Sequence, residues 1–371
     1  MIFTAGITIA LFIAVLLLVK KEKSNSDLLL CLWMLLYAFH IALFYVLNNN
    51  TIYHYPSLLG LHFPLPLLHG VFLYLYVSSV TNQHPIKKVV VFIHLIPTIL
   101  TFLYLIPFMG LPAAEKIEIF EKEGQGYEMF QFILLIAICI SGVYYVWRSN
   151  EILKQHQKQI LNRFANLEKI DLQWLQFLTY GLGLVWILVI ITQKNEVIFL
   201  GVSIFVILIG FFGIQQKTIF DSDKEPSKNI LTTPPILLME PTPLPKEKYT
   251  RSGLSDKEAG EQYQNLITLM QEESYYKEST LSLSQLASKL NIHPNYLSQI
   301  INEREGISFY DFVNKFRVEE FKRLVALPDN RQFTLITLAY ECGFNSKSSF
   351  NRYFKKITGQ TPSQYAKLMM E

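Results

Sequence analysis

The stretch AYECGFNSKSSFNRYFKKITGQTPSQY, residues 339–365, decides how the C-terminal part of the chain folds. Gly343 suits a tight turn, because glycine adopts positive φ angles at no steric cost. Ser346 is a natural N-cap for the helix that follows. Gly359 would end that helix, and Pro362 suits the first turn of the next one. A short helix, a tight turn and a second helix form the helix-turn-helix pattern.

The same pattern occurs once more upstream. Residues 284–290 are predicted as a short helix, Asn291 tolerates the turn, and Pro294 begins a second helix that runs to about Glu303. A longer helix over residues 308–327, with apolar residues at helical spacing, joins the two copies. With an amphipathic helix over residues 255–272 in front, the sequence predicts a tandem helix-turn-helix domain in residues 250–371.

The order of glycines, aromatic residues, basic residues and the Thr361-Pro362 pair in this stretch resembles the signature of the AraC-type transcription regulators. The resemblance covers residues 250–371. It implies a seven-helix domain that reads two successive major-groove segments. The residues that carry the signature are Gly343, Phe344, Phe350, Phe354, Gly359 and Pro362.

Polar residues at the start of each second helix are the candidates for DNA contact. Such residues reach base edges, whereas basic side chains further along bind phosphates. Asn and Gln can pair bidentately with adenine, and Arg with guanine. The alternative for each residue is a solvated helix face. Predicted base contacts are Asn295, Ser298 and Gln299 in the first unit and Lys347, Ser348, Asn351 and Arg352 in the second, with Lys355 and Lys356 as phosphate ligands.

The remainder of the chain is apolar. Of the 371 residues, 51% are hydrophobic and only 17% charged, against about 25% in ordinary soluble domains. The deficit lies before Gln216, in runs close to the roughly 20 residues that cross a bilayer as a helix. The first run lacks the basic start and the cleavage site of a signal peptide. The predicted spans are Ile2–Val19, Asp27–Leu47, Leu58–Val80, Val89–Met109, Met129–Trp147, Leu172–Thr192 and Val197–Ile214.

Charge in the loops predicts the orientation. Basic residues cluster in alternate loops, at residues 20–23, 87–88 and 148–169, whereas the loop after Met109 is acidic overall. Basic loops face the cytoplasm, so the N-terminus is predicted outside and the C-terminal domain inside. The expected localisation is the bacterial inner membrane, with several spans. This architecture is similar to that of membrane-tethered AraC-like regulators.

The predicted fold class is therefore all-α, a seven-helix transmembrane bundle followed by a tandem helix-turn-helix DNA-binding domain. Residues 1–214 form the transmembrane domain and residues 250–371 the DNA-binding domain. Between them, residues 215–249 form a cytoplasmic linker whose prolines favour extended conformations. These prolines are Pro226, Pro234, Pro235, Pro241, Pro243 and Pro245.

Catalysis and transport are disfavoured. The spans hold no acidic or basic residue at mid-depth, which a transport pathway would normally need. With no paired carboxylates and no nucleophile–base set, we expect no catalytic residue and no cofactor. His62 and His69, seven residues apart and so predicted on one face of the third span, are weak candidates for a metal site; interhelical hydrogen bonding is the favoured alternative. Cys31, Cys139 and Cys342 are interpreted as small buried hydrophobes.

The sequence predicts a membrane-anchored, sequence-specific transcription regulator, with the transmembrane half sensing a small-molecule or envelope signal. Its expected partners are double-stranded DNA and the lipid bilayer, and a homodimer would suit paired DNA sites. Two alternatives stay open: a membrane enzyme or transporter with an appended DNA-binding domain, and a DNA tether that senses nothing. The signal could travel by reorientation of two protomers or by proteolysis of the linker.

Overall fold

A computed structural model of the chain describes residues 2–81, 87–167, 172–192, 194–215 and 256–370. The chain divides into two compact units: Met1–His156 with Leu172–Pro226 form unit 1, and Gln157–Asp171 with Ser227–Glu371 form unit 2. Within the described ranges the one extended pairing is an isolated antiparallel bridge between Phe164 and Ser282. The rest of the regular structure is helical, which confirms the all-α class. Apart from Gln215, the predicted proline-rich linker lies outside the described residues.

Unit 1 holds apolar helices joined by short connections. Its described helices are α1 (Ile2–Val19), α2 (Asn25–Asn48), α3 (Leu65–Thr81), α4 (Lys88–Met109), α5 (Ala113–Glu121), α6 (Glu128–Leu161), α7 (Gln173–Thr192) and α8 (Asn195–Gln215). The last five residues of α6, 157–161, belong to unit 2. Five of them, α1, α2, α4, α6 and α7, are long and apolar enough to cross a membrane. Helix α3 and the stretch Asn195–Gly210 of α8 are apolar but shorter, and the predicted count of seven spans includes both.

Local signals explain where α2 begins. Ser24 caps the helix by accepting a hydrogen bond from the backbone amide of Asp27, whose carboxylate accepts in return from the amide of Ser24. Lys20 forms an ion pair with the same carboxylate at 2.9 Å. This reciprocal capping box satisfies amides that the helix itself leaves without a partner. The core of unit 1 then forms around fully buried aromatic residues of α2, among them Trp33 and Tyr37.

The third predicted span needs a correction. The sequence predicts a helix from Leu58 to Val80, but α3 begins only at Leu65 and the residues before it form turns. The prolines start the helix instead of bending it, because proline fits the first helical turn and disfavours helical geometry in the residue before it. His62 therefore precedes the helix and shares no helix face with His69.

Unit 2 contains seven α-helices within residues 256–370, the number that the AraC-type resemblance implied. They are α9 (Asp256–Glu272), α10 (Leu283–Lys289), α11 (Pro294–Glu305), α12 (Phe309–Ala326), α13 (Leu335–Glu341), α14 (Lys347–Thr358) and α15 (Pro362–Met370). Helices α10 and α11 form the first helix-turn-helix, and α13 and α14 the second. Ser282, Ser308, Thr334 and Ser346 cap four of these helices through their side chains.

Helix α12 joins the two helix-turn-helix units by contributing to two apolar cores. Its first half packs Phe309 and Phe312 into the core of the first unit, with Leu286, Leu297 and others. Its second half packs Val318 and Phe321 into the core of the second unit. Because one continuous helix carries residues of both cores, α12 holds the two helix-turn-helix units in a fixed relation to each other.

Candidate nucleic-acid interface

The turn of the second unit is built around Gly343. Its φ of +93° lies in the left-handed region that favours glycine. A Cβ atom at this position would lie 2.6 Å from the carbonyl oxygen of Tyr276 and 2.8 Å from that of Lys277. The glycine is therefore required for two reasons, the backbone angle and the close approach of another segment. Phe344 follows it into the core, 3% exposed.

Helix α14 has one aromatic and one polar face. Phe350, Tyr353 and Phe354 are buried and belong to one apolar core. Burial raises the pKa of the Tyr353 hydroxyl, which donates a hydrogen bond to the backbone oxygen of Asp311 at 2.8 Å. Gly359 ends the helix with a φ of +75°. The aromatic face thus fixes the helix on α12 and leaves the opposite face exposed.

The exposed face of α14 is basic. No residue of the helix is acidic, and its predicted DNA contacts are all exposed. Lys356 is nevertheless engaged, because its Nζ lies 2.6 Å from the carboxylate of Asp311. Among the described residues Lys355 makes no ion pair, so it is the more available of the two phosphate candidates. The exposed residues are Lys347, Ser348, Asn351, Arg352, Lys355 and Lys356.

The polar face of α11 differs in charge and in pairing. Asn295 is exposed near the helix start. Ser298 accepts from the side-chain amide of Asn302, through its carbonyl at 2.7 Å and its hydroxyl at 3.3 Å. Gln299 donates to the carboxylate of Glu303 at 3.0 Å. A base contact by the amide nitrogen of Gln299 would exchange this hydrogen bond for one to DNA, whereas the Ser298 hydroxyl only accepts and can still donate its own proton to a base.

A buried arginine of α12, Arg317, connects the two helix-turn-helix units. Arg317 is 1% exposed, and its Nε donates to the carbonyl of Tyr276 at 2.7 Å and its Nη2 to that of Glu278 at 2.8 Å. Its guanidinium lies 5.9 Å from the ring centroid of Phe344. Burial lowers the pKa of Arg317 to about 10, so the group remains charged at neutral pH. The arginine connects the segment before α10 to the turn of the second unit.

A second charged cluster lies one helical turn further along α12. Glu320 is 7% exposed and forms ion pairs with Arg323 at 2.7 Å and Lys277 at 2.8 Å. The hydrogen bond from Arg323, followed by that from Lys277, lowers the pKa of Glu320 to about 2. The apolar spacing of α12 did not predict its two buried charged residues, Arg317 and Glu320. Their spacing of three residues within the apolar stripe was the available signal.

His62 and His69 were predicted on one helix face, but the structure does not bring them together. His69 pairs with His40, Nε2 to Nδ1 at 2.9 Å, and accepts from the indole of Trp33 at 3.3 Å. Since Nδ1 of His69 accepts, its Nε2 carries the proton and donates to His40. Among the described residues no group of three or more His, Cys, Asp or Glu side chains could hold a metal ion. The contact is an interhelical hydrogen bond, the alternative that the sequence favoured.

Residues 286–368 match the family described as helix-turn-helix domain. The C-terminal region of this chain therefore contains a helix-turn-helix domain of the AraC type.

The relatives that match are regulators by name. This chain is 35% identical to YtdP of Bacillus subtilis strain 168, an uncharacterized HTH-type transcriptional regulator, over 88 residues or 24% of this chain's length. Over 85 residues, 23% of this chain, it is 38% identical to an uncharacterized HTH-type transcriptional regulator of Staphylococcus aureus strain COL. Each match covers 11% of the relative's own length.

Two solved structures are also similar. The C-terminal domain of AraT, a response regulator from Geobacillus stearothermophilus, shares 27% identity, with a TM-score of 0.25, over 30% of this chain and 84% of that chain. A protein of unknown function from Listeria innocua shares 29% identity, with a TM-score of 0.26, over 29% of this chain and 95% of that chain.

Proposed function

We propose that the protein is a membrane-anchored transcription regulator that binds DNA through both helix-turn-helix units. The observation that carries the proposal is the exposed face of α14, where basic residues face solvent without an acidic residue in the helix. Such a face binds phosphates, and side chains near the helix start read base edges. The names of the matched relatives support the same activity.

Membrane anchoring is supported by what unit 1 exposes. Large apolar side chains cover the outside of its helices, for example Val89 at 69%, Phe92 at 60% and Met129 at 70% exposure. A soluble protein rarely shows apolar surface on that scale, whereas lipid would cover it. We place the N-terminus outside and the C-terminal domain in the cytoplasm of a bacterial inner membrane. In this topology the end of α6 and the DNA-binding domain lie on the same side of the membrane, and the membership of residues 157–167 in unit 2 supports this arrangement.

We further propose that the transmembrane half is the sensor and that the protein is not an enzyme. A non-sensing tether is the second candidate, and it would need only the apolar surface. The two differ in one outcome. If substitutions throughout residues 2–215 that leave insertion intact never alter reporter output, the tether is correct and sensing is wrong.

DNA recognition is tested with the full chain in nanodiscs and a duplex that it selects from a random pool. Arg352→Ala should weaken binding by about 1–3 kcal/mol and relax preference at one base position. Lys355→Ala should weaken all sequences alike and reduce the salt dependence of log K by about 0.9. Lys257→Ala, which removes an exposed lysine of α9, is the control. Equal effects of all three substitutions would contradict the proposed interface.

Orientation is tested by cysteine labelling in intact cells, after the three native cysteines are replaced by serine. Lys122→Cys, after α5, should react with a membrane-impermeant maleimide because it is predicted outside. Lys154→Cys, near the end of α6, should react only after the cells are opened. Both lysines are more than half exposed, at 53% and 57%, so exposure does not distinguish them. The reverse labelling pattern would overturn the orientation.

A further inference from the structure

Residues 157–167, which we call the docking segment, are part of unit 2 although more than a hundred residues separate them from α10. The backbone amide of Ala165 donates to the carbonyl of Leu281 at 3.1 Å, and the amide of Leu283 donates to the carbonyl of Arg163 at 2.9 Å. Leu283 is the first residue of α10. The segment therefore satisfies an amide at the start of this helix, which the helix itself leaves without a partner.

The carbonyl of Ala165 receives two further hydrogen bonds, both from α12. The side-chain amide of Asn314 and the Nη1 of Arg317 each donate to it at 3.3 Å. Both side chains are 1% exposed, so the segment supplies an acceptor where water has no access. Without it, a buried guanidinium and a buried amide would each lose a hydrogen bond, and an unmade bond of this kind is costly.

Apolar contacts of the docking segment reach both helix-turn-helix cores. Ala165, 1% exposed, belongs to the core of the first unit. Ile160 and Leu167, 6% and 7% exposed, belong to the core of the second helix-turn-helix unit, with Phe350 and Phe354 of α14. A segment that contributes to two cores restricts the movement of one unit relative to the other.

The docking segment continues directly from a candidate membrane span. Helix α6 has 34 residues, or about 51 Å at 1.5 Å per residue, whereas the hydrocarbon core is about 30 Å thick. The helix can therefore cross the bilayer and still extend well beyond it. The last turn of α6 includes Ile160, which belongs to the core of the second helix-turn-helix unit. A movement of α6 therefore displaces this core residue directly, and the linker is not needed to transmit it.

We propose that the docking segment is an intramolecular attachment that ties the DNA-binding domain to α6 and carries the signal from the membrane half to both helix-turn-helix units. The attachment itself follows from the contacts above, whereas its regulatory role rests on the proposed function. It also means that cutting the linker does not by itself release the domain from the membrane.

Attachment is tested without DNA. A site-specific protease sequence is inserted between Pro235 and Ile236 of the full chain, the protein is placed in membrane vesicles, and the linker is cut. The C-terminal fragment should sediment with the vesicles although no peptide bond connects it to them. Release of the fragment into the supernatant would overturn the proposal.

Substitutions in the segment make the test specific. Ile160→Ala with Leu167→Ala should release the cut fragment, because both substitutions leave cavities in the second core. Lys158→Ala with Arg163→Ala is the matched control: both side chains are exposed and the carbonyl of residue 163 is kept, so the fragment should stay bound. Equal retention of the two double variants would contradict the assigned contacts.

A cross-link covers the case in which the apolar variants simply unfold. Phe164 and Ser282 face each other as a pair between two backbone hydrogen bonds, where Cα atoms lie about 4.5 Å apart, within disulfide range. Phe164→Cys with Ser282→Cys, after the native cysteines are replaced by serine, should join the two fragments on a non-reducing gel. Phe164→Cys with Ser284→Cys is the control. No cross-link in the first pair would overturn the docked geometry.

The regulatory role has its own measurement. Uncut Ile160→Ala/Leu167→Ala protein in nanodiscs should bind the selected duplex about 5-fold to 150-fold more weakly than the parent, the usual range for coupling between sites. If the double variant binds DNA as tightly as the parent, the regulatory role is wrong, even when the cut fragment of the parent stays attached to the vesicles. If the parent itself binds no DNA, the proposed function fails and the sedimentation result still decides the attachment.

Discussion

Arg317 donates a hydrogen bond to the carbonyl oxygen of Ala165 at 3.3 Å, across 152 residues of sequence. The same guanidinium also donates hydrogen bonds to the carbonyl oxygens of Tyr276 and Glu278. One side chain thus joins the docking segment, the approach to α10 and helix α12. Its charge is met by carbonyl dipoles, and no carboxylate is among its hydrogen-bond acceptors in the part of the chain that the structure describes.

Removing this guanidinium should destabilise the C-terminal unit strongly. Arg317→Met keeps much of the side-chain volume but leaves buried carbonyls without donors, so we expect a loss of about 3–5 kcal/mol. The urea dependence of pulse proteolysis, read with an antibody against the C-terminus of the full chain, measures it. Lys315→Ala removes an exposed ion pair with Glu305 and should cost about 0–1 kcal/mol. Similar losses of unfolding free energy in both variants would show that the buried hydrogen bonds of Arg317 contribute no more than an exposed ion pair.

Acid should weaken the C-terminal unit through Glu320. Its folded pKa of about 2 lies below the value of about 4.3 in an unfolded chain. A depressed pKa contributes stability that is fully present above the unfolded value and is lost as pH falls from about 4.3 towards 2. In Glu320→Gln the urea midpoint of the unit should change less over this interval than in the parent. A parallel decline in parent and variant would exclude Glu320 as the cause.

Gly343 should tolerate alanine far less well than Gly359. Both have positive φ angles, but a Cβ at Gly343 would meet two backbone oxygens, whereas one at Gly359 would meet nothing within 4 Å. Gly359→Ala should cost about 1–2 kcal/mol for the backbone conformation alone. Gly343→Ala should cost about 3 kcal/mol or more, since backbone must move. Pulse proteolysis ranks the two, and the opposite order would contradict the observed turn.

Asp311 restrains one of the two phosphate candidates. Asp311→Asn keeps an acceptor for the Ser308 hydroxyl, which bonds to this side chain at 2.9 Å, but removes the charge that holds Lys356. DNA affinity should rise for all sequences, and the salt dependence of log K should steepen by up to about 0.9. Asp329→Asn, in the turn after α12, removes an equal charge and is the control. Matching increases in both variants would indicate a general charge effect.

Short-range signals made the C-terminal helices predictable. Ser346 is predicted as an N-cap and caps α14. Gly359 ends α14 as expected, and Pro294 begins α11. In each case the preference belongs to the residue itself and to neighbours within one turn, which a single sequence displays.

Contacts between distant segments were not predictable in this way. The bridge between Phe164 and Ser282 depends on backbone groups, which every residue possesses, so nothing in residues 157–167 marks them as part of the DNA-binding domain. The pairing of His69 with His40 was missed for a different reason: it joins side chains of two helices whose relative rotation no periodicity reveals. Which face of α14 binds DNA stays a prediction.

The docking segment also sets an order of events during synthesis. Ala165 leaves the ribosome 152 residues before Arg317, about 8 to 30 s earlier at bacterial elongation rates of 5–20 residues per second. Over that interval α7 and α8, which we propose to cross the membrane, are made and can insert before the chain reaches α12. A nascent chain that fails to insert α6 would present its last turn in the wrong place when the DNA-binding domain emerges. Completion of that domain would then act as a checkpoint on membrane insertion.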